Sequence, residues 1–209
     1  MSISRTPFKI DGPAGKLQAI LQLPAAADYS KFAIVCHPHP LQEGSMHNKV
    51  VTTTCKAMLA LKIPCLIFNF RGVEQSEGEF GQIKGEVADC MAVVDWINQQ
   101  YPAADLYLAG FSFGAYIAAE VATKVSTRCL ISIAPAVERM PYEQLPAVTC
   151  PWLVIMGEED EVVTPAAVFT WFDTLHANKT LSKFPGTGHF FHGKLLELQR
   201  VIEDFVQVY

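Results

Sequence analysis

The sequence has no run of basic residues, and its formal net charge is -5 at pH 7. Phosphate backbones are held by clustered Lys and Arg, so a nucleic-acid partner is not expected. Charged residues make up only 18% of the chain and hydrophobic ones 50%, a balance that argues for an enclosed core and against disorder. No apolar stretch reaches the ~18 residues that a membrane span needs. The opening residues, Met1 to Pro7, lead into no apolar segment of the secretory kind. Six cysteines are present, Cys36, Cys55, Cys65, Cys90, Cys129 and Cys150, with no C-x-x-C pair and no metal-ligand spacing. They read as small buried hydrophobes of a reduced, cytoplasmic protein, with a nucleophilic cysteine as the lesser alternative. At 209 residues the chain fits one domain, 1–209. Such a domain needs no metal or disulfide to stay folded, and nothing in the sequence calls for a cofactor or a metal.

What is present is alternation. Short apolar runs at Phe32–Cys36, Cys65–Phe70, Leu106–Ala109, Cys129–Ile133 and Trp152–Met156 read as strands buried on both faces. Gly15 to Leu23 reads as an N-terminal strand and Lys179 to Phe184 as a last one. Helical spacing recurs around Val50–Leu59, in Glu86–Gln100 and Phe113–Val125, between Pro165 and Leu175, and from Leu195 to Phe205. Strands alternating with helices predict an α/β fold, a mostly parallel central sheet with helices on both faces. Sites in such sheets form at the carboxyl ends of strands.

After the strand ending at Ala109 comes Gly110-Phe111-Ser112-Phe113-Gly114, followed at once by a helix. This is G-x-S-x-G in the strand-turn-helix context that the motif requires. A tight turn there lifts the Ser112 hydroxyl clear of the sheet at a helix N-terminus, whose free N–H groups suit a developing oxyanion. The bland alternative is a glycine-rich turn that only tightens a βα connection.

A serine hydroxyl needs a base. Of six histidines, His189 in Gly186-Thr187-Gly188-His189-Phe190-Phe191 follows the last candidate strand; His192 is the alternative, and His47 and His176 fall in helical stretches. The acid should also follow a strand. Trp152–Met156 runs into Gly157-Glu158-Glu159-Asp160-Glu161, and the order nucleophile, acid, histidine favours this cluster. Asp160 is chosen, with the other three carboxylates read as a solvated loop. One oxyanion donor should be the backbone N–H of Phe113. A second should come from His37-Pro38-His39-Pro40-Leu41, where proline leaves His39 as the backbone donor and Leu41 as the fallback.

The chain resembles the small bacterial α/β-hydrolases that carry His-Pro-His-Pro after the third strand. The resemblance rests on Cys36-His37-Pro38-His39-Pro40-Leu41, Asn48-Lys49-Val50-Val51, Phe68-Asn69-Phe70-Arg71-Gly72-Val73, Ala109 to Ala115, Gly157 to Val163 and Gly188 to Gly193. It implies a triad of Ser112, Asp160 and His189 and ester-like substrates. The sequence departs from that pattern at Gln42-Glu43-Gly44-Ser45, which has one glycine where relatives commonly have two.

Between the strand ending near Ala134 and Trp152 lie 17 residues, Pro135 to Pro151, too few for a cap domain. An open site is expected, with Leu41, Met46, Phe111, Phe190 and Phe191 as candidate pocket residues. Arg71 is expected to pin its own loop rather than to bind substrate. The expected activity is cleavage of a carboxylic ester or thioester, and the expected partner is a small-molecule acyl substrate. A peptidase or acyltransferase would use the same residues, and a catalytically silent binding module is the alternative from another class.

Overall fold

Five apolar runs with hydrophobic residues on both sides of the pleat become the centre of one sheet. The structure, a computed structural model, describes residues 2–209. Its strands are β1 (Ile3–Gly12), β2 (Gly15–Pro24), β3 (Lys31–Cys36), β4 (Cys65–Phe68), β5 (Asp105–Phe111), β6 (Cys129–Ile133), β7 (Trp152–Gly157) and β8 (Lys179–Phe184). The helices are α1 (Lys49–Ala60), α2 (Lys84–Gln100), α3 (Phe113–Ala122), α4 (Pro165–Thr174) and α5 (Leu195–Val208). The sheet order is β1-β2-β4-β3-β5-β6-β7-β8. Only the β1–β2 and β2–β4 pairs are antiparallel; from β4 to β8 every pair is parallel. Every residue of β4, β6 and β7 is buried, as parallel strands covered on both faces must be.

The chain moves one way from β3 through α1 to β4, and the other way from β4 through α2 to β5. Right-handed crossovers therefore put α1 on one face and α2, α3 and α4 on the opposite face. Helix α5 closes the first face by packing on α1, through Leu198, Ile202, Phe205 and Val206. The reversal falls between β3 and β5, which are paired with Cys36 beside Gly110. That switch point is where an open α/β sheet leaves a crevice for a ligand.

Strand β1 is the element that the sequence reading misses. It is a sheet edge, so it buries only Ile10 and shows little apolar alternation. Pro7, which would break a central strand, is tolerated there. His47 and His176 also lie outside helices, in the turn before α1 and just past α4. No helix among the described residues is long and apolar enough to cross a membrane.

Candidate active site

Ser112 caps α3 with φ 54 and ψ -113, a conformation that is uncommon for a side-chain-bearing residue. The glycines on either side make the turn possible by close approach. A Cβ on Gly110 would lie 2.1 Å from the Gly114 carbonyl oxygen, and one on Gly114 would lie 2.4 Å from the carbonyl oxygens of Cys36 and His37. The turn therefore seats the start of α3 directly on the exit of β3. Ser112 N–H is tied to Ile133 O at 2.8 Å, while the side chain reaches the cleft above.

His189 is 2% exposed, and its Nδ1 lies 2.7 Å from Asp160 Oδ2. The other oxygen, Asp160 Oδ1, accepts the N–H groups of Val162 and Val163, both at 2.8 Å. The carboxylate is thus fixed in orientation before it meets the imidazole, and it fixes Nδ1 as the protonated nitrogen, leaving Nε2 as acceptor. The loop that carries the histidine is drawn onto β7: a Cβ on Gly157 would lie 2.3 Å from the Thr187 carbonyl oxygen. Phe111 lies beneath the imidazole, with ring centroids 4.8 Å apart, and Phe190 stands edge-on to it at 5.1 Å. His189 and Ser112 line one cleft. His189 makes its hydrogen bonds to Asp160 and Glu161; among the described residues none joins its ring to Ser112 Oγ, and the two residues share the cleft without being bonded.

The His37-Pro38-His39-Pro40 segment has two differently used imidazoles. His37 is fully buried; its Nε2 accepts Phe70 N–H at 3.0 Å and its Nδ1 donates to Pro38 O at 2.7 Å. Burial pushes its pKa down to about 3, so it stays neutral and braces the loop. His39 rises beside the cleft, 4.9 Å from the Phe113 ring. Burial is also the main cause that holds its pKa below the usual histidine value. Its Nδ1 accepts Leu41 N–H at 3.1 Å. That bond uses the N–H of the fallback donor, and His39 itself lines the cleft beside Ser112.

Two recesses meet at Ser112. One, of about 300 Å³, holds His189, Phe190, Glu43 and Asn48. The other, of about 340 Å³, is walled by Phe80, Ile83, Phe113, Met140, Gln82 and Arg139. Of the five candidate pocket residues, Phe190 alone lines either recess. Leu41 is 69% exposed on a single 3-10 turn, Pro40–Gln42, which turns Gln42 to the cleft instead. Met46 is buried below the loop, with its N–H on Asn69 Oδ1. Phe111 is fully buried as the floor under His189, and Phe191 is fully buried against Phe184. Met46, Phe111 and Phe191 are corrected for one reason, that apolar residues beside a site usually complete its core, whereas Leu41 is carried outward by its turn.

Arg71 pins its own loop, as expected. Its backbone N–H and guanidinium both bond the fully buried Asp89 of α2, with Nη2–Oδ1 at 2.7 Å. One turn earlier Glu86 accepts Gly81 N–H and Ile83 N–H at 2.7 and 2.8 Å. That holds Ile83 at φ 78, a strained value for a β-branched residue, with its side chain in the cleft wall. Phe80, Ile83, Met140 and Arg139 were not singled out from sequence. The rule that sites gather at carboxyl ends points to their loops, which follow β4 and β6. Glu158, Glu159 and Glu161 are exposed, as a solvated loop requires, and Glu161 Oε2 in addition accepts the His189 N–H at 3.2 Å.

Residues 33–147 match the Hydrolase_4 family, described as serine aminopeptidase, S33. The chain belongs to that family. It is 32% identical over 206 residues to the uncharacterized protein RP471 of Rickettsia prowazekii (strain Madrid E), covering 94% of this chain and 86% of that one. Among solved structures it is similar to an α/β serine hydrolase homologue from Coxiella burnetii, at 40% identity and a TM-score of 0.92, over 95% of this chain and 96% of that one. It is also similar to XC6422 from Xanthomonas campestris, described as an α/β serine hydrolase without lid, at 42% identity and a TM-score of 0.93, over 98% and 94% of the two chains. The absence of a cap agrees with the short connection from β6 to β7, which holds only a 3-10 turn at Tyr142–Gln144.

Proposed function

We propose that the protein is a serine hydrolase that cleaves a carboxylic ester or thioester of a small substrate through an acyl-enzyme. Ser112 is the nucleophile, His189 the base and then the acid, and Asp160 the carboxylate that holds the imidazole. The observation that carries this reading is the 2.7 Å His189–Asp160 bond in a cleft shared with a serine at φ 54. Ser112 Oγ attacks the acyl carbonyl while its proton passes to His189 Nε2. Backbone N–H groups of Phe113 and His39 receive the oxyanion. The bond to the leaving oxygen or sulfur breaks as His189 returns the proton to it, and water releases the acid by the same route.

This chemistry assigns the two recesses. The leaving group must take its proton from His189, so it occupies the recess that His189 lines. The acyl group occupies the other. An aminopeptidase would have to hold a free ammonium on the acyl side, where the lining carries Arg139 and no carboxylate. Ester or thioester cleavage is favoured on that ground. Fluorophosphonate labelling of the wild type and of Ser112→Ala tests the nucleophile, and p-nitrophenyl esters set against amino-acid p-nitroanilides test the reaction class. Labelling confined to the wild type, with turnover of the esters, is expected. Labelling that persists in the variant, or anilides as the better substrates, overturns the reading.

A further inference from the structure

We propose that Arg139 selects substrates whose acyl group carries a carboxylate; the inference rests on the hydrolase reading above and deepens it. Arg139 lines the recess assigned to the acyl group, together with Ser112. Its Nη2 donates to the Val162 carbonyl at 3.0 Å, so one edge of the guanidinium is already held in place. A guanidinium offers five N–H donors in a fixed fork, which leaves the remaining ones for a planar anion. Among the described residues Arg139 forms no ion pair, unlike Arg71, whose charge is matched by Asp89.

The acids nearby are committed elsewhere. Glu86 is buried and spends its oxygens on Gly81 and Ile83. Glu138 accepts the Thr164 N–H at 3.3 Å. Glu43 lines the other recess, on the leaving-group side. The acyl recess thus combines an apolar wall of Phe80, Ile83, Phe113 and Met140 with one cation and no anion. An acyl chain with a methylene run and a carboxylate matches both parts, whereas a plain fatty acyl chain leaves the guanidinium without a partner. The substrate class is the half-ester or half-thioester of a dicarboxylic acid.

The experiment compares mono-p-nitrophenyl adipate with p-nitrophenyl hexanoate, two acyl chains of equal length that differ in a terminal carboxylate. For the wild type, kcat/KM should favour the adipate ester by about fivefold, the scale of one solvent-accessible ion pair. The preference should reside in KM and shrink with added salt. Arg139→Gln should bring the ratio of the two kcat/KM values to about one, and Arg139→Lys should restore part of it. A general disturbance of the site would slow both esters and leave their ratio alone. A wild type that turns over both esters equally, or a ratio unmoved by Arg139→Gln, overturns the role of Arg139 while the hydrolase reading stands. If neither ester is cleaved and fluorophosphonate does not label Ser112, the hydrolase reading fails and this proposal falls with it.

Discussion

Gly114 approaches His37 so closely that a Cβ on the glycine would lie 2.4 Å from the histidine carbonyl oxygen. The contact joins the start of α3, which carries Ser112, to the exit of β3, which carries His39. Both proposed oxyanion donors are therefore set by one backbone-on-backbone contact, and their separation cannot change without opening it.

Gly114→Ala should accordingly be costly in two measurable ways. The methyl group meets backbone rather than a flexible side-chain end, so relief requires the helix and strand to part. A loss of about 3 kcal/mol is expected from overpacking of this kind, read by urea unfolding. A displacement of ~1 Å should also slow acylation by about a hundredfold, read as the rate of fluorophosphonate labelling in the protein that remains folded. Wild-type stability together with wild-type labelling would mean that the contact does not constrain the turn.

Much of this architecture was legible in the sequence, and the reason differs between elements. Strands β3 to β7 announce themselves because burial on both faces leaves mostly apolar residues. Ser112 was legible because the turn it occupies tolerates so few neighbours that Gly110 and Gly114 are nearly forced. The edge strand β1 was not, since exposure removes the apolar pattern that marks a strand. The cleft walls were not legible for a related reason. Phe80, Ile83 and Met140 reach the site from loops whose path is fixed by distant partners, such as Glu86 on the N–H groups of Gly81 and Ile83. Phe111, Met46 and Phe191 look equally suitable on paper, and only packing shows that they face inward.

Asp160→Asn should separate orientation from folding. The amide oxygen can still accept the Val162 and Val163 N–H groups, so the loop should hold and the melting temperature should change little. The amide nitrogen, a donor, then faces His189 Nδ1. The imidazole must accept there and carry its proton on Nε2, where it can no longer take one from Ser112. Ester turnover should fall by on the order of 10³- to 10⁴-fold. Turnover within a few-fold of wild type would place the working carboxylate elsewhere.

Asp89→Asn should weaken the fold and the wall of the acyl recess together. Asp89 is fully buried and is the anionic partner of Arg71, whose side chain is itself only 13% exposed. Removing one member of a buried pair leaves the other charge desolvated and unmatched, at a cost of about 3–5 kcal/mol. Replacing both residues by leucine should cost less than Asp89→Asn alone, because no uncompensated charge remains. Urea unfolding of the two variants decides this, and a double variant less stable than Asp89→Asn would show that the pair contributes more than charge compensation.

The neutral His37 gives the protein a pH dependence with a definite sign. Its folded pKa of about 3 lies below the ordinary value of 6.5 because burial disfavours the cation. Between those values the unfolded chain binds a proton that the folded protein does not, so stability is complete above pH 6.5 and is lost as pH falls toward 3. The loss approaches about 1.4 kcal/mol per pH unit for one such group. His37→Gln keeps an acceptor for the Phe70 N–H and has no titrating ring. It should be less stable than the wild type at pH 7, because the Pro38 carbonyl loses its donor, yet the difference should narrow at lower pH. Urea unfolding of both proteins from pH 7 down to 4.5 measures that gap. A gap that stays constant across the range would mean that His37 titrates alike in the folded and unfolded chains.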